Sequence, residues 1–353
     1  MDISEIDKNL QVCCELPEDV EWHDIRKEDV FTLYGLLDYG DDGYRRMPDA
    51  LTKSISDGLY HLSRNTAGGR LRFKTDSPYV AIKSAFTSYG IMSHMAFINT
   101  AGFDLYVNTK AGSFYRSTCM PPTNLTGFPA SYANVMWAGV GMKDLTINFP
   151  SYGAPLYVQI GLKKGCRLEK TDGYCDMKPI LFYGSSITQG GCASRPGLIY
   201  ENYISRRFNV DYINLGFSGN GKAEREVVEY MSELDFSVFV SDYDHNAPSY
   251  EHLENTHFAM YELIRQKHPN VPYIMISKPD IDNNSSGERT REIIYDSYKK
   301  ARANGDFNVY YIDGKRVFAG ADRDCCTVDG CHPNDLGMWR FADTLIGELI
   351  KIL

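Results

Sequence analysis

Four short polar clusters in this chain hold the residue types that acyl-transfer chemistry requires. The segment PILFYGSSITQGG, residues 179–191, ends an apolar run on Gly184 and follows it with Ser185 and Ser186. NLGFSGNGK puts Gly219 in a glycine-rich turn, DYDHNAP supplies His245 and Asn246, and DGCHPND supplies Asp329 and His332. A serine hydroxyl is a weak nucleophile until a base takes its proton. Histidine does this at neutral pH when a carboxylate fixes its tautomer and stabilises the imidazolium. Asp329 and His332 stand three residues apart, in a loop with Gly330 and just before Pro333, so both side chains can turn to one point. A developing oxyanion needs hydrogen-bond donors, each worth roughly 10²–10³ in rate. The N–H of Gly219, the side-chain amide of Asn246 and the N–H of Ser186 are the candidates.

The elements that must carry these clusters follow from the periodicity of the second half. PILFY, DYINLG, FSVFVSDY, PYIMISKP and VYYIDG read as five strands. LIYENYISRRF, KAEREVVEYMSEL, residues 250–267, EIIYDSYKKARAN and the C-terminal run read as the helices between and after them. PILFY is uninterruptedly apolar, as a strand covered on both faces must be. Strands alternating with helices predict an α/β domain over residues 166–353, with a five-stranded parallel sheet of flavodoxin-like type. Ligands of such sheets bind beyond the carboxyl ends of the strands. The four polar clusters all fall on that rim.

The first half has a different texture. GRLRFKTDSPYVAIKSAF reads as two strands, GFDLYVNTKAGSFYRSTCM as a hairpin around Lys-Ala-Gly, and KDLTINFPSYGAPLYVQIGL as two strands separated by Pro-Ser-Tyr-Gly. Short β-branched and aromatic strands at this spacing predict an antiparallel β-sandwich or jelly roll over residues 1–165. Residues 1–58 are expected to add edge strands and a connector. Residues 163–178, polar and turn-rich, are the expected passage between the domains.

Composition narrows the partners. The chain has 353 residues, enough for two cores, and a net charge of −9, which repels a phosphate backbone and argues against nucleic acid. No apolar run reaches the ~20 residues that cross a bilayer, so no membrane role is expected. The acidic start lacks an apolar signal region, and a cytoplasmic location is the expectation. Nine cysteines, including Cys13-Cys14 and Cys325-Cys326, read as free thiols of a reducing compartment. Cys325, Cys326, Cys331 and His332 crowd together, but their spacing fits no usual zinc pattern, and no metal or cofactor is expected.

The four clusters together resemble the SGNH, or GDSL, hydrolases, whose name lists Ser, Gly, Asn and His from four blocks. Those residues match Ser186, Gly219, Asn246 and His332, in order and in strand–loop placement. The resemblance covers residues 178–353 and implies the SGNH hydrolase fold. It also implies that Ser186, two positions after Gly184, is the nucleophile. Ser185 stands where the family most often carries Asp, and Ala247 where another Asp usually follows the block-three Asn. GFDLY, residues 102–106, matches the GxDLY motif of β-domains that precede SGNH domains. A jelly roll joined to an SGNH domain is similar to family-2 carbohydrate esterases and to some GDSL-type acyltransferases. The implied substrates are small O-acyl esters, acetyl first, on sugar-like hydroxyls.

Each assignment has a plainer rival. Ser185 reads as a helix N-cap, and Gly219 could be a turn glycine alone. His245 rivals His332 as base, and is read instead as lining the substrate pocket. Arg46 and Trp137 are candidate substrate contacts from the first half, against roles as surface charge and core aromatic. Asp242, Asp244 and His245 with Asp329 and His332 could hold a metal, a reading that leaves Ser186 and Gly219 without purpose. The expected function is therefore a serine esterase with a Ser186–His332–Asp329 triad. An acyltransferase using the same site and a non-catalytic glycan-binding protein are the alternatives. An oligosaccharide or small-molecule acyl ester is the expected partner, and a homo-oligomer is left open.

Overall fold

The computed structural model describes residues 3–7, 15–36, 38–279 and 285–353. Cys13 and Cys14 lie outside the described residues. The chain divides into two compact units, Met1–Arg46 with Arg64–Gly173 and Ser194–Gly197, and Met47–Ser63 with Tyr174–Ala193 and Leu198–Leu353.

The first unit is an antiparallel β-sandwich. One sheet has four strands in the order Val20–Asp24, Gly153–Lys163, Tyr79–Tyr89 and Ala130–Trp137. The other runs Leu168–Glu169, Arg70–Thr75, Lys143–Asn148, Phe103–Thr109 and Gly112–Cys119, with Thr32–Tyr34 paired to Arg70–Thr75. The expected hairpin around Lys-Ala-Gly is present, pairing Thr109 with Gly112. The segments Asp76-Ser77-Pro78 and Phe149–Tyr152 instead carry the chain from one sheet to the other. Between the sheets lie Phe73, Val80, Ile82, Phe86, Phe103, Leu105, Leu145, Ile147, Val158 and Ile160. The edge strand Val20–Asp24 comes from the first 58 residues, as expected. The strand Ala130–Trp137 was not anticipated, because its Ala, Ser and Asn residues have little strand preference. Its buried and exposed positions nevertheless alternate.

The second unit holds the five-stranded parallel sheet. Its spatial order is Tyr212–Gly216, Ile180–Gly184, Val238–Asp242, Tyr273–Ile276 and Val309–Ile312, so the chain's first strand sits between its second and third. This is the flavodoxin-like order, and the reversal between the first and third strands creates a crevice at their carboxyl ends. The first three strands are buried along their whole length. The helices Tyr200–Phe208 and Asp335–Ile352 pack together, with Tyr200 stacked on Phe341 at 4.4 Å between ring centres. The helices Asp49–Ile55 and Asp57–Ser63, placed by sequence with the sandwich, belong to this second unit. Leu59 is buried there, and Gly58 approaches Asn220 so closely that a Cβ would lie 2.5 Å from Oδ1. Among the described residues, no helix is long and apolar enough to cross a membrane.

His257, on the helix Tyr250–Lys267, is buried against the ring of Tyr243. Burial lowers its pKa from 6.5 to about 3, so it folds neutral. The unfolded chain binds that proton below pH 6.5 and the folded chain does not, so stability present at neutral pH is lost as pH falls toward 3. The slope is about 1.4 kcal/mol per pH unit for one such group. His257→Phe is expected to flatten the decline of unfolding free energy between pH 6.5 and 4.5, measured by urea titration at each pH.

Candidate active site

The turn that carries Ser186 is built where the first parallel strand ends. Gly184 pairs in register with Gly216 on one side and Asp242 on the other. A Cβ on Gly184 would lie 1.6 Å from Asp242 Oδ1 and 2.2 Å from Thr188 Oγ1, so only glycine fits. Residues 186–192 then form successive turns rather than the expected first helix. Gly190 N donates to Ile187 O at 2.9 Å and Gly191 N to Ser186 O at 2.8 Å, folding the chain back over the serine. Ser185 is buried and its Oγ accepts from Ile187 N at 3.2 Å, a local turn contact, since turns follow it in place of the helix it was expected to cap. Ser186 is 8% exposed, and its Oγ lies 2.9 Å from His332 Nε2.

His332 stands in a loop fixed by its own partner. Asp329 Oδ2 is 2.7 Å from His332 Nδ1, while Oδ1 accepts from His332 N at 2.8 Å and Cys331 N at 3.0 Å. Burial alone would raise the Asp329 carboxyl, but these His332 and Cys331 N–H groups outweigh it and hold it at about 2. The carboxylate is charged, so the ring carries its proton on Nδ1 and presents Nε2 as acceptor to the serine. Gly330, at φ +85°, makes the turn that lets the acid reach back to the ring. Asn334 closes the loop by capping the last helix, accepting from Leu336 N and Gly337 N.

The remaining candidates are distributed unevenly. Asn246 Oδ1 accepts from Gly219 N at 3.1 Å, and its Nδ2 donates to Phe217 O at 2.8 Å. The Gly219 N–H, expected as an oxyanion donor, is thus spent on the Asn246 amide, which it orients. Gly219 has φ +67°, which gives its turn a reason for glycine. Gly221 lies against Gly184 O, where a Cβ would fall 2.4 Å away.

His245 does not meet Ser186. Its Nδ1 faces Cys331 Sγ at 3.7 Å and its Nε2 is buried without a hydrogen-bond partner among the described residues. Burial, with Lys278 and His332 nearby, lowers its pKa to about 3, so it stays neutral. Arg46 is 0% exposed and donates through Nε to Asn65 O at 2.8 Å, so no surface of it is left for a substrate. Trp137 is exposed on the sandwich.

Two acids that sequence offered as metal ligands anchor the backbone. Asp242 is buried and accepts from the Thr188 hydroxyl, which also meets Tyr200 OH at 3.0 Å. Burial holds the Asp242 carboxyl well above its usual range, Thr188 and Ser185 opposing the rise and Asp244 adding to it. Asp244 Oδ2 accepts from Lys278 N at 2.9 Å, and burial pushes its carboxyl up to about 6. Sequence reasoning missed Asp242 as the support of the Ser186 turn, although it ends the strand next to Gly184. It also missed Cys192, which has φ +69°, is buried, and brings Sγ within 4.8 Å of a His332 ring nitrogen.

Residues 177–350 match the GDSL-like lipase/acylhydrolase family, and residues 20–168 match GxDLY, the N-terminus of SGNH hydrolase-type esterases. The chain belongs to the GDSL-like hydrolases. It is a carboxylic ester hydrolase by that membership. Among proteins of curated function, none matches the sequence. A solved structure described as a GDSL-like lipase, from Bacteroides ovatus, is 27% identical, with a TM-score of 0.84 over 94% of this chain and 98% of that one. The salicylyl-acyltransferase SsfX3 of a tetracycline biosynthetic pathway is 18% identical, with a TM-score of 0.76 over 96% and 98%. A family two carbohydrate esterase from Clostridium thermocellum, in complex with cellohexaose, is 13% identical, with a TM-score of 0.58 over 81% and 93%.

The glycines of this GDSL-like site differ in what they tolerate. Gly184→Ala is expected to prevent soluble folding or to cost more than about 4 kcal/mol, because the new methyl overlaps a buried carboxylate. Gly219→Ala meets no atom within 4 Å and is expected to cost only about 1–2 kcal/mol of backbone strain. Urea unfolding of the two variants measures both.

Proposed function

We propose that this protein is a serine esterase that removes small O-acyl groups, acetyl first, from carbohydrates. The observation that carries the reading is the unbroken relay from Ser186 Oγ through His332 to Asp329, at 2.9 and 2.7 Å. In this mechanism His332 Nε2 takes the serine proton as Oγ attacks the ester carbonyl. The oxyanion is held by Asn246 Nδ2 and the N–H of Ser186, with Gly219 fixing the amide. The C–O bond to the alcohol then breaks, and His332 delivers its proton to the leaving oxygen. A water repeats the sequence on the acyl-enzyme, giving the acid and restoring Ser186. His245, neutral and close to His332, is proposed to line the pocket.

The sugar-ester assignment is supported by the likeness to carbohydrate esterases, one of them bound to cellohexaose. The likeness to a salicylyl-acyltransferase along nearly the whole chain favours a second reading, in which an alcohol replaces water at the acyl-enzyme. The two differ in one measurement. With p-nitrophenyl acetate, an added polyol should leave p-nitrophenol release and acetate formation equal in a hydrolase, and divert acetate into a new ester in a transferase.

Ser186→Ala is expected to lower kcat by roughly 10⁴-fold or more, while Ser185→Ala stays within about tenfold of the parent. Asn246→Ala is expected to lose about 10²–10³ in kcat with little change in KM. Acetate release from acetylated xylan, mannan and monosaccharides identifies the substrate. Equal losses at Ser185 and Ser186 would overturn the assignment of the nucleophile.

A further inference from the structure

The GFDLY segment of the sandwich has no part in the chemistry above, yet its carboxylate and its phenol both reach one short stretch of chain. Asp104 is 0% exposed, and its Oδ2 accepts from Arg195 Nη1 at 2.6 Å and from Gly197 N at 2.8 Å. Asn148 Nδ2 donates to its Oδ1 at 2.7 Å. Tyr106 OH accepts from Arg195 Nη1 at 2.8 Å. The Arg195 guanidinium lies over the ring of Tyr115 at 4.0 Å. Gly197 is held so tightly that a Cβ would lie 2.5 Å from Asp104 Oδ2 and 2.6 Å from Tyr106 Cε2. Gly102 itself sits where a Cβ would meet Ile98 O at 2.7 Å, which fixes the start of the strand that presents Asp104.

The held stretch, Ser194–Gly197, belongs to the sandwich unit, although the chain on both sides of it belongs to the other unit. It directly follows the turns that carry Ser186. Those turns are tied at their start by Gly191 N to Ser186 O, and the chain is tied again beyond the stretch by Tyr200 OH to Thr188 Oγ1. Between these ties, the clasp around Arg195 restrains the path of the backbone. A buried carboxylate with an arginine, a backbone N–H and an amide as partners is costly to build and costly to break. We propose that Asp104 and Arg195 are positioning residues for catalysis, acting on Ser186 through the segment they clasp. This rests on the reading of Ser186 as the nucleophile. It gives the acid and the tyrosine of the GxDLY motif a role beyond the stability of the sandwich.

The test separates position from stability. The rate at which a fluorophosphonate labels Ser186, and kcat and KM for p-nitrophenyl acetate, are measured well below the melting midpoint of every variant. Asp104→Asn and Arg195→Lys are the clasp variants, and Tyr115→Leu is a milder one at an exposed ring. Ile147→Val, in the sandwich core, provides a loss of stability without touching the clasp. The clasp variants are expected to label at least about tenfold more slowly and to lose kcat more than KM, as a displaced nucleophile does. Tyr115→Leu is expected to show a smaller fall of the same kind, and Ile147→Val none. Clasp variants, Tyr115→Leu included, that label at the parent rate overturn the proposal even if they melt earlier. Peptide mapping of the labelled parent tests the nucleophile separately: a label on a residue other than Ser186 overturns that reading and the clasp with it.

Discussion

The constraint on which the site depends is the double use of one carboxylate. Asp329 holds the ring of His332 with one oxygen and the backbone of His332 and Cys331 with the other. The loop cannot relax without turning the ring, and the ring cannot turn without losing a charge-assisted bond. This is how a residue far along the chain can meet Ser186 at 2.9 Å from a loop that is itself partly exposed. The same three N–H groups that shape the loop keep the acid ionised, which is the state needed to stabilise an imidazolium. Shape and charge are therefore set by one group of contacts, and a change to either is felt by both.

Beneath the serine, the equivalent constraint is steric. Gly184 and Gly216 end neighbouring strands in register; a methyl on Gly184 would overlap the Asp242 carboxylate and the Thr188 hydroxyl, and one on Gly216 the Thr188–Gln189 backbone. Asp242 and Thr188 occupy the volume that the glycine leaves. Asn214 adds a donor to Thr188 O at 2.5 Å and another to Glu201 Oε1 at 3.0 Å. Gln189 accepts from Ser218 N at 2.9 Å, tying the Ser186 turn to the glycine turn after the second strand. Buried polar groups are expensive unless paired, and a paired network is rigid. The crevice at the reversal of strand order is consequently lined by turns that hold one another.

Much of this was legible in the chain. The five apolar runs became five parallel strands because burial on both faces leaves no alternation to confuse with a helix. The rim clusters followed from the strand ends, and Ser186, His332 and Asp329 are brought together as their types suggested. What escaped reading was pairing at a distance. Asp242 was read as a possible ligand because acids near a histidine suggest metal, whereas its partners, Thr188 and the backbone at Ser185, lie on another strand's turn. Arg46 looked like surface charge and is buried. Residues 47–63 looked like part of the sandwich, since nothing local reveals that Leu59 is covered by the second unit. Periodicity identifies elements; it does not say which unit a short amphipathic helix joins.

In the proposed mechanism Gly219 serves without touching the substrate. Asn246 has both ends of its amide assigned by backbone, Oδ1 to Gly219 N and Nδ2 to Phe217 O. Reversing the amide would set two donors against each other at Gly219 and two acceptors at Phe217. In the proposed mechanism its remaining N–H is therefore held in place before an ester arrives. Preorganised donors in a partly buried site are worth more than the same donors in water for this reason. Gly219 can make that turn because its φ is +67°, where a side chain would be strained. In the proposed mechanism the glycine contributes through the amide it orients, and the Ser, Gly, Asn and His of the four blocks form a chain of dependence rather than four parallel contacts.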